Sequence, residues 1–257
     1  MIKMNNIAKY TTLKILENKK LSKTIYLIKT KTIEKISESN PPQFVMLWIP
    51  GYEAIPMSIA YSEEDEIWFI VKPIGLTTTI LSRKKPGEYL GLIGPLGKPL
   101  LPLNGEKYLF IAGGSGLAPI VHYLQKLQGR ECSLIYGAWS FDEIENIVDF
   151  VKEMKCSITT TCFDRQCDYN GLITDYVEKI SLEKYDYIIA CGPIDMLKKL
   201  AEIINRKYWF KTIFILESMI KCGLGLCGTC KVFNNREYYL CIDGPGFYLE
   251  EIGEYLW

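Results

Sequence analysis

Over the first hundred residues apolar and polar positions alternate with a period of two. Residues 24–31, 43–50, 66–73 and 88–93 carry this pattern and predict strands. Turn formers separate them: Asn40-Pro41-Pro42, Pro50-Gly51, Gly75, Pro86-Gly87 and Gly94-Pro95-Leu96-Gly97. Short strands punctuated in this way predict a small antiparallel barrel. Pro56-Met57-Ser58 and Gly75-Leu76-Thr77-Thr78-Thr79 read, on pattern alone, as turns and strand threonines. From residue 107 the pattern changes. Residues 107–112, 132–136, 157–161, 186–190 and 212–216 are short strand-like runs. Between them lie helical faces: Ile120, Val121, Leu124 and Leu127, then Ile144, Ile147, Val148 and Val151, then 171–180 and 194–206. Strands alternating with helices predict an open parallel sheet with ligands at the strand C-termini. The boundary between the two halves falls in 99–105.

Composition narrows the classes. The chain has 257 residues, 48% hydrophobic and 23% charged, which is ordinary globular composition. Thirty basic residues balance thirty acidic ones, so no positive excess draws in nucleic acid or an anionic membrane. The longest apolar stretch, 108–124, is broken by Gly113, Gly114, Gly116 and Pro119 and is no membrane span. The first twenty residues lack the apolar core of a signal peptide, which points to a cytoplasmic protein. The nine cysteines are odd in number, so a metal or redox role is expected and a disulfide framework is not.

Four of the nine are ordered. Cys222, Cys227, Cys230 and Cys241 have the spacing C-x4-C-x2-C-x10-C. The first three match the plant-type [2Fe–2S] spacing. A tight loop carrying three thiolates, with a fourth from a following hairpin, can enclose two irons. Gly223, Gly225 and Gly228 let the loop curl and leave amides free to point at sulfur. Four cysteines can also hold zinc, but zinc sites usually bring two C-x2-C pairs and only one is present. Cys162 and Cys167 stand apart as a structural pair.

The turn Gly113-Gly114-Ser115-Gly116 lies between a strand and a helix. Bare amides there suit a pyrophosphate and the helix dipole favours its charge, although a plain tight turn has the same pattern. Cys191-Gly192-Pro193 ends another strand and could face the same ligand; Cys191 reads equally as a contact or as a small buried residue. The one histidine, His122, reads as a surface or packing residue, and no general base is assigned.

Pro56-Met-Ser-Ile-Ala60, Gly75-Leu-Thr-Thr78, Gly94-Pro-Leu-Gly97, Ala112-Gly-Gly-Ser-Gly-Leu-Ala-Pro119, Ala190-Cys-Gly-Pro193, the cysteine run and Cys241-Ile-Asp-Gly-Pro245 together resemble the ferredoxin reductase superfamily. Within it the cysteine tail resembles the electron-transfer subunits of class 1B dihydroorotate dehydrogenase. The resemblance implies an N-terminal antiparallel FAD-binding β-barrel (1–100), a parallel-sheet α/β domain for the nicotinamide nucleotide (101–216) and a C-terminal [2Fe–2S] subdomain (217–257). It places Pro56, Met57, Ser58, Val71, Lys72, Gly75, Thr77 and Thr78 at FAD. It places Gly113, Gly114, Ser115, Gly116, Pro119, Cys191, Gly192 and Pro193 at NAD(H), and the four tail cysteines on the cluster. Ile55 stands where many members have arginine, so Lys72 is expected to supply charge to the FAD phosphate. Gly137-Ala138-Trp139-Ser140 lacks the arginine that NADP-using members often carry, which favours NADH. The implied activity is electron transfer between NAD(H), FAD and [2Fe–2S], an oxidoreductase component of pyrimidine biosynthesis without a dihydroorotate pocket of its own. The implied partner is an FMN-containing catalytic subunit, in a heterotetramer, docked around Lys221, Leu224 and Leu226. The rivals are a sulfhydrogenase diaphorase-like subunit, a ferredoxin:NADP oxidoreductase and, in another class, a zinc-stapled non-enzymatic interaction module.

Overall fold

The computed structural model describes residues 10–232 and 237–253. Residues 1–9, on which the signal-peptide expectation partly rests, and 233–236 and 254–257 lie outside the described residues.

Seven strands build the first sheet: β1 (Thr11–Lys20), β2 (Tyr26–Thr32), β3 (Phe44–Trp48), β4 (Ala54–Ser58), β5 (Tyr61–Glu63), β6 (Glu66–Val71) and β7 (Tyr89–Leu96). Their order is β4-β3-β7-β1-β2-β6-β5 and every pair is antiparallel. The sheet curls until β4 stands against β6. Leu13, Ile15, Ile28, Leu47, Phe69 and Leu92 fill its interior. Two motifs differ from the pattern-based reading. Pro56-Met57-Ser58 lies inside strand β4, and its proline is tolerated because β4 is an edge strand. Gly75–Thr79 enters a helix, α1 (Leu76–Leu81). The Thr78 hydroxyl accepts from the amides of Ile74 and Gly75 at 3.1 Å each, and this local cap overrides the strand preference of threonine. Strand β1 was not predicted; only its first half alternates in burial, and a charged run follows.

The second sheet contains β8 (Lys107–Gly113), β9 (Glu131–Gly137), β10 (Ser157–Cys162), β11 (Tyr169–Asn170), β12 (Tyr187–Cys191) and β13 (Thr212–Ile215), all parallel. Its order is β11-β10-β9-β8-β12-β13, extended by one antiparallel strand, β16 (Gly246–Tyr248). The sheet is therefore mixed, because a strand from beyond the cysteine run completes its edge. Helices α2 (Leu117–Lys126), α3 (Glu145–Glu153), α4 (Ile173–Val177) and α5 (Ile194–Ile203) connect the strands. The helix expected over 171–180 is this shorter α4, since Gly171 has φ +143° and belongs to the preceding turn. A disulfide joins Cys162 and Cys167, where the chain loops back between β10 and β11. The pair read as structural is thus bridged, and a single bridge is no framework.

The cysteine segment sits against both halves. A Cβ on Gly223 would meet Leu96 Cδ1 at 2.8 Å and Met46 Cγ at 2.9 Å, and the Lys98 amide donates to the Gly244 carbonyl at 2.6 Å. A short hairpin, β14 (Lys231–Val232) and β15 (Tyr238–Tyr239), joins the third cysteine to the fourth.

Candidate functional site

Strand order reverses between β8 and β12, and a doubly wound sheet opens a crevice at such a reversal. The two predicted turns flank it, with Ala112 paired to Cys191. A Cβ on Gly116 would stand 2.2 Å from the Cys191 carbonyl oxygen, so only glycine lets the turns close on each other. Gly113, Gly114 and Pro193 line a cavity of 390 Å³ at this end, with Trp139, Phe163 and Lys199 farther out. Trp139 and Phe163 are stacked with centroids 5.5 Å apart, at 71% and 48% exposure. Three of the residues expected at NAD(H) have their side of the turn closed off. Gly116 and Pro119 are buried where the helix packs, and Cys191 is 1% exposed with its thiol pushed well up by burial.

A second cavity of 210 Å³ lies between the barrel and the end of β13. Pro56, Met57, Ser58, Lys72 and Thr78 line one side; Ser115, Ala118 and 215–218 line the other. Val71 does not reach it, because its side chain is 1% exposed in the barrel core. Thr77 is also turned away, donating to Glu53 at 3.0 Å. Gly75 caps α1 outside the lining. Ile55 packs against the barrel core. Lys72 lines both cavities and pairs with Glu143 at 3.5 Å, so its charge is shared across the junction of the two halves. The walls fit a planar ring with polar edges: apolar faces from Met57 and Ala118, hydroxyls from Ser58 and Ser115, and one cation.

Sequence reasoning missed Glu217, the acid lining this second cavity. Its exposed surface opens into the cleft, and the enclosing walls push its carboxyl above the usual range. It also missed the Trp139–Phe163 pair. An aromatic within two residues of each of two adjacent strand ends was the available sign, and only the missing arginine there was weighed.

The four tail cysteines form two thiol pairs. Cys230 and Cys241 sulfurs are 3.3 Å apart, held by the hairpin through the Leu240 amide, which donates to the Cys230 carbonyl at 3.1 Å. Cys227 has Cys222 as its neighbouring thiol. The Leu224 amide donates to Cys222 Sγ at 3.3 Å and the Gly225 amide to Cys241 Sγ at 3.1 Å. Gly225 has φ +73°, and a Cβ there would press Ile242 at 2.8 Å. Thr229 and Cys222 beside it lower the Cys227 thiol to about 6. Burial and the Cys230 contact raise Cys241 to about 12. Among the described residues no three Cys, His, Asp or Glu side chains converge as they would around one ion. Two thiol pairs with amides aimed at sulfur fit a binuclear cluster. Beside exposed Cys227, Leu226 is 81% exposed; Met219, three residues before Cys222, is 66% exposed.

His122 is a packing residue. It is fully buried, its Nε2 is 3.3 Å from Ser39 Oγ, and burial lowers its pKa to about 3. No helix among the described residues is long and apolar enough to cross a membrane.

Comparison with known proteins agrees with this geometry. The iron-sulfur cluster binding domain of dihydroorotate dehydrogenase B matches residues 217–253, and an oxidoreductase NAD-binding domain matches 110–202. A Methanocaldococcus jannaschii protein named probable dihydroorotate dehydrogenase B (NAD(+)), electron transfer subunit, is 33% identical over 237 residues, 89% of each chain. The Clostridium acetobutylicum electron transfer subunit of that name is 31% identical over 251 residues, covering 95% of this chain and 97% of its own. The structure of an NADH-dependent reduced ferredoxin-NADP oxidoreductase matches with TM-score 0.81 at 28% identity, covering 96% of this chain and 91% of that one. A ferredoxin reductase in carbazole 1,9a-dioxygenase shares the fold, with TM-score 0.68 at 21% identity over 80% of this chain and 68% of that one.

Proposed function

Because this chain belongs to the family of dihydroorotate dehydrogenase B electron transfer subunits, we propose that it carries electrons between NAD(H), FAD and a [2Fe–2S] cluster, to or from an FMN-containing catalytic subunit that interconverts dihydroorotate and orotate. The observation that carries this reading is the junction at Lys72. The cavity at the sheet reversal and the cavity at the barrel both reach it, so a nicotinamide in one and a flavin in the other would meet. FAD supplies the exchange between a two-electron hydride donor and a one-electron cluster.

The chain's own residues bind and orient. Pro56, Met57, Ser58 and Ser115 hold the ring of the flavin, and Thr78 shapes the turn beside it. Gly113, Gly114, Gly192 and Pro193 keep the backbone bare for the dinucleotide, with α2 behind them. Cys222, Cys227, Cys230 and Cys241 would hold the cluster through their thiolates. The units run 1–100, 101–216 and 217–257, the third held to the second by β16. A thiolate-held cluster fed by NADH suits work in the cytoplasm. The cluster loop with Lys221, Leu224 and exposed Leu226, flanked by Ile242, is the docking surface, and the complex is a heterotetramer. The ferredoxin- and sulfhydrogenase-linked readings share all these parts except the partner.

The test is reconstitution with the separately purified catalytic subunit. Dihydroorotate-dependent reduction of NAD⁺ should need both chains. Leu226→Asp should weaken their association at least about tenfold while leaving NADH oxidation with ferricyanide intact. Equal activity with either chain omitted would reject the reading.

A further inference from the structure

Cys132 is the second residue of β9, and Cys156 stands one residue ahead of β10. The ladder between these strands begins at Ser133–Ser157, so the two cysteines occupy the preceding rung. That rung is at the sheet end opposite Gly137 and the nucleotide-facing cavity. Neighbouring strands run about 4.7–4.9 Å apart, inside the Cα–Cα range of a disulfide. Local contacts hold the rung closed. Ser157 Oγ donates to the Cys132 carbonyl at 3.0 Å and lies 3.1 Å from Ser133 Oγ. Cys132 Sγ lies 3.8 Å from the carbonyl oxygen of Lys155, the residue before Cys156.

The two thiols differ in access. Cys132 lines a cavity of 510 Å³ between the C-terminal ends of α2 and α3, walled on the barrel side by the stacked rings of Tyr61 and Trp68. Cys156 is 3% exposed behind it. Arg130 and Lys155 line the same cavity together with Glu153, and Arg130 pairs with Glu106, so the lining keeps a small positive excess that attracts an anionic reagent. Of the seven free cysteines, four belong to the tail and Cys191 is closed off. The remaining two form a pair with one member open to a cavity.

We propose that Cys132 is a thiol–disulfide exchange site for small anionic disulfides, with Cys156 as its resolving thiol. The Cys132 thiolate attacks one sulfur of R–S–S–R. A Cys132–S–S–R bond forms and RS⁻ leaves. Cys156 then gives up its proton and attacks the Cys132 sulfur, closing the Cys132–Cys156 bridge and releasing a second RS⁻. Two protein thiols are oxidised, one small disulfide is reduced, and the two thiol protons end on two R–SH. The contact between the two thiols holds Cys132 below the usual range and Cys156 above it, which matches the order of attack.

The probe is oxidised glutathione, added to the holoprotein without oxygen and followed by alkylation and peptide mapping. Wild type should yield a Cys132–Cys156 linked peptide pair with no glutathione retained. Cys156→Ser should stop with glutathione on Cys132, and Cys132→Ser should leave Cys156 free to be alkylated. NADH-dependent flavin reduction should stay within about twofold of wild type in both variants, since the rung is at the far end of the sheet. Unmodified Cys132 in the wild type would overturn the proposal. So would glutathione remaining on Cys132 with Cys156 still free.

Discussion

The Lys72 ammonium lies 3.5 Å from the Glu143 carboxylate, tying the residue after β6 to the turn after β9 where the two cavities meet. The lysine expected to serve the FAD phosphate therefore also faces the nucleotide side. Lys72→Met should weaken retention of FAD and raise KM for NADH together, each by about tenfold. Ultrafiltration with flavin fluorescence and steady-state kinetics would measure the two effects. A change in FAD retention alone would confine Lys72 to the barrel cavity.

Gly116 has no room for a side chain, because its Cβ would fall 2.2 Å from a backbone oxygen and 2.8 Å from the Gly192 amide nitrogen. Gly116→Ala should cost about 1–3 kcal/mol in a thermal or urea melt. It should also weaken NADH binding, since the turns must part. Gly129→Ala is the control for backbone strain at an open position, with φ +87° and nothing nearby.

Trp139 and Phe163 stack at the outer rim of the nucleotide cavity. An exposed aromatic pair there would serve as a face for the adenine ring. Trp139→Ala should raise KM for NADH about tenfold with kcat little changed, the pattern of lost uniform binding.

Cys227 is the exposed member of the four tail cysteines, so its loss perturbs folding least. Cys227→Ser should lose the cluster's visible bands and most of the iron while keeping the flavin spectrum. Zinc in place of iron in the wild type would contradict the iron–sulfur assignment.

His122 is buried neutral, with its pKa lowered to about 3 mainly by burial and further by Lys126. The unfolded chain binds this proton near pH 6.5, so the unfolded state holds more protons between these values. The neutral histidine's contribution is full above pH 6.5 and declines as pH falls toward 3. The slope from this group is about 1.4 kcal/mol per pH unit. His122→Gln should flatten that part of the stability profile, measured by urea unfolding from pH 7 to pH 4.5.

The parts legible in the sequence are those whose chemistry forces a local pattern. The parallel strands show as apolar runs because both sheet faces are covered, and the C-x4-C-x2-C-x10-C spacing shows because a hairpin must return Cys241 to Cys230. The helix at Gly75 was hidden by three threonines, whose strand preference yields to one side-chain cap. The resemblance names Val71 by its position in β6, and its side chain faces the barrel core instead of the cavity. The Lys72–Glu143 pair and the Cys132–Cys156 rung depend on how distant segments come together, and no local pattern announces them.

The most direct test is a visible spectrum of the purified chain, prepared without oxygen, before and after NADH, with iron and zinc assayed on the same sample. The account predicts flavin bands with an iron–sulfur shoulder, both bleached by NADH, and bleaching of the shoulder that disappears in Cys227→Ser. A colourless zinc protein without flavin would contradict it.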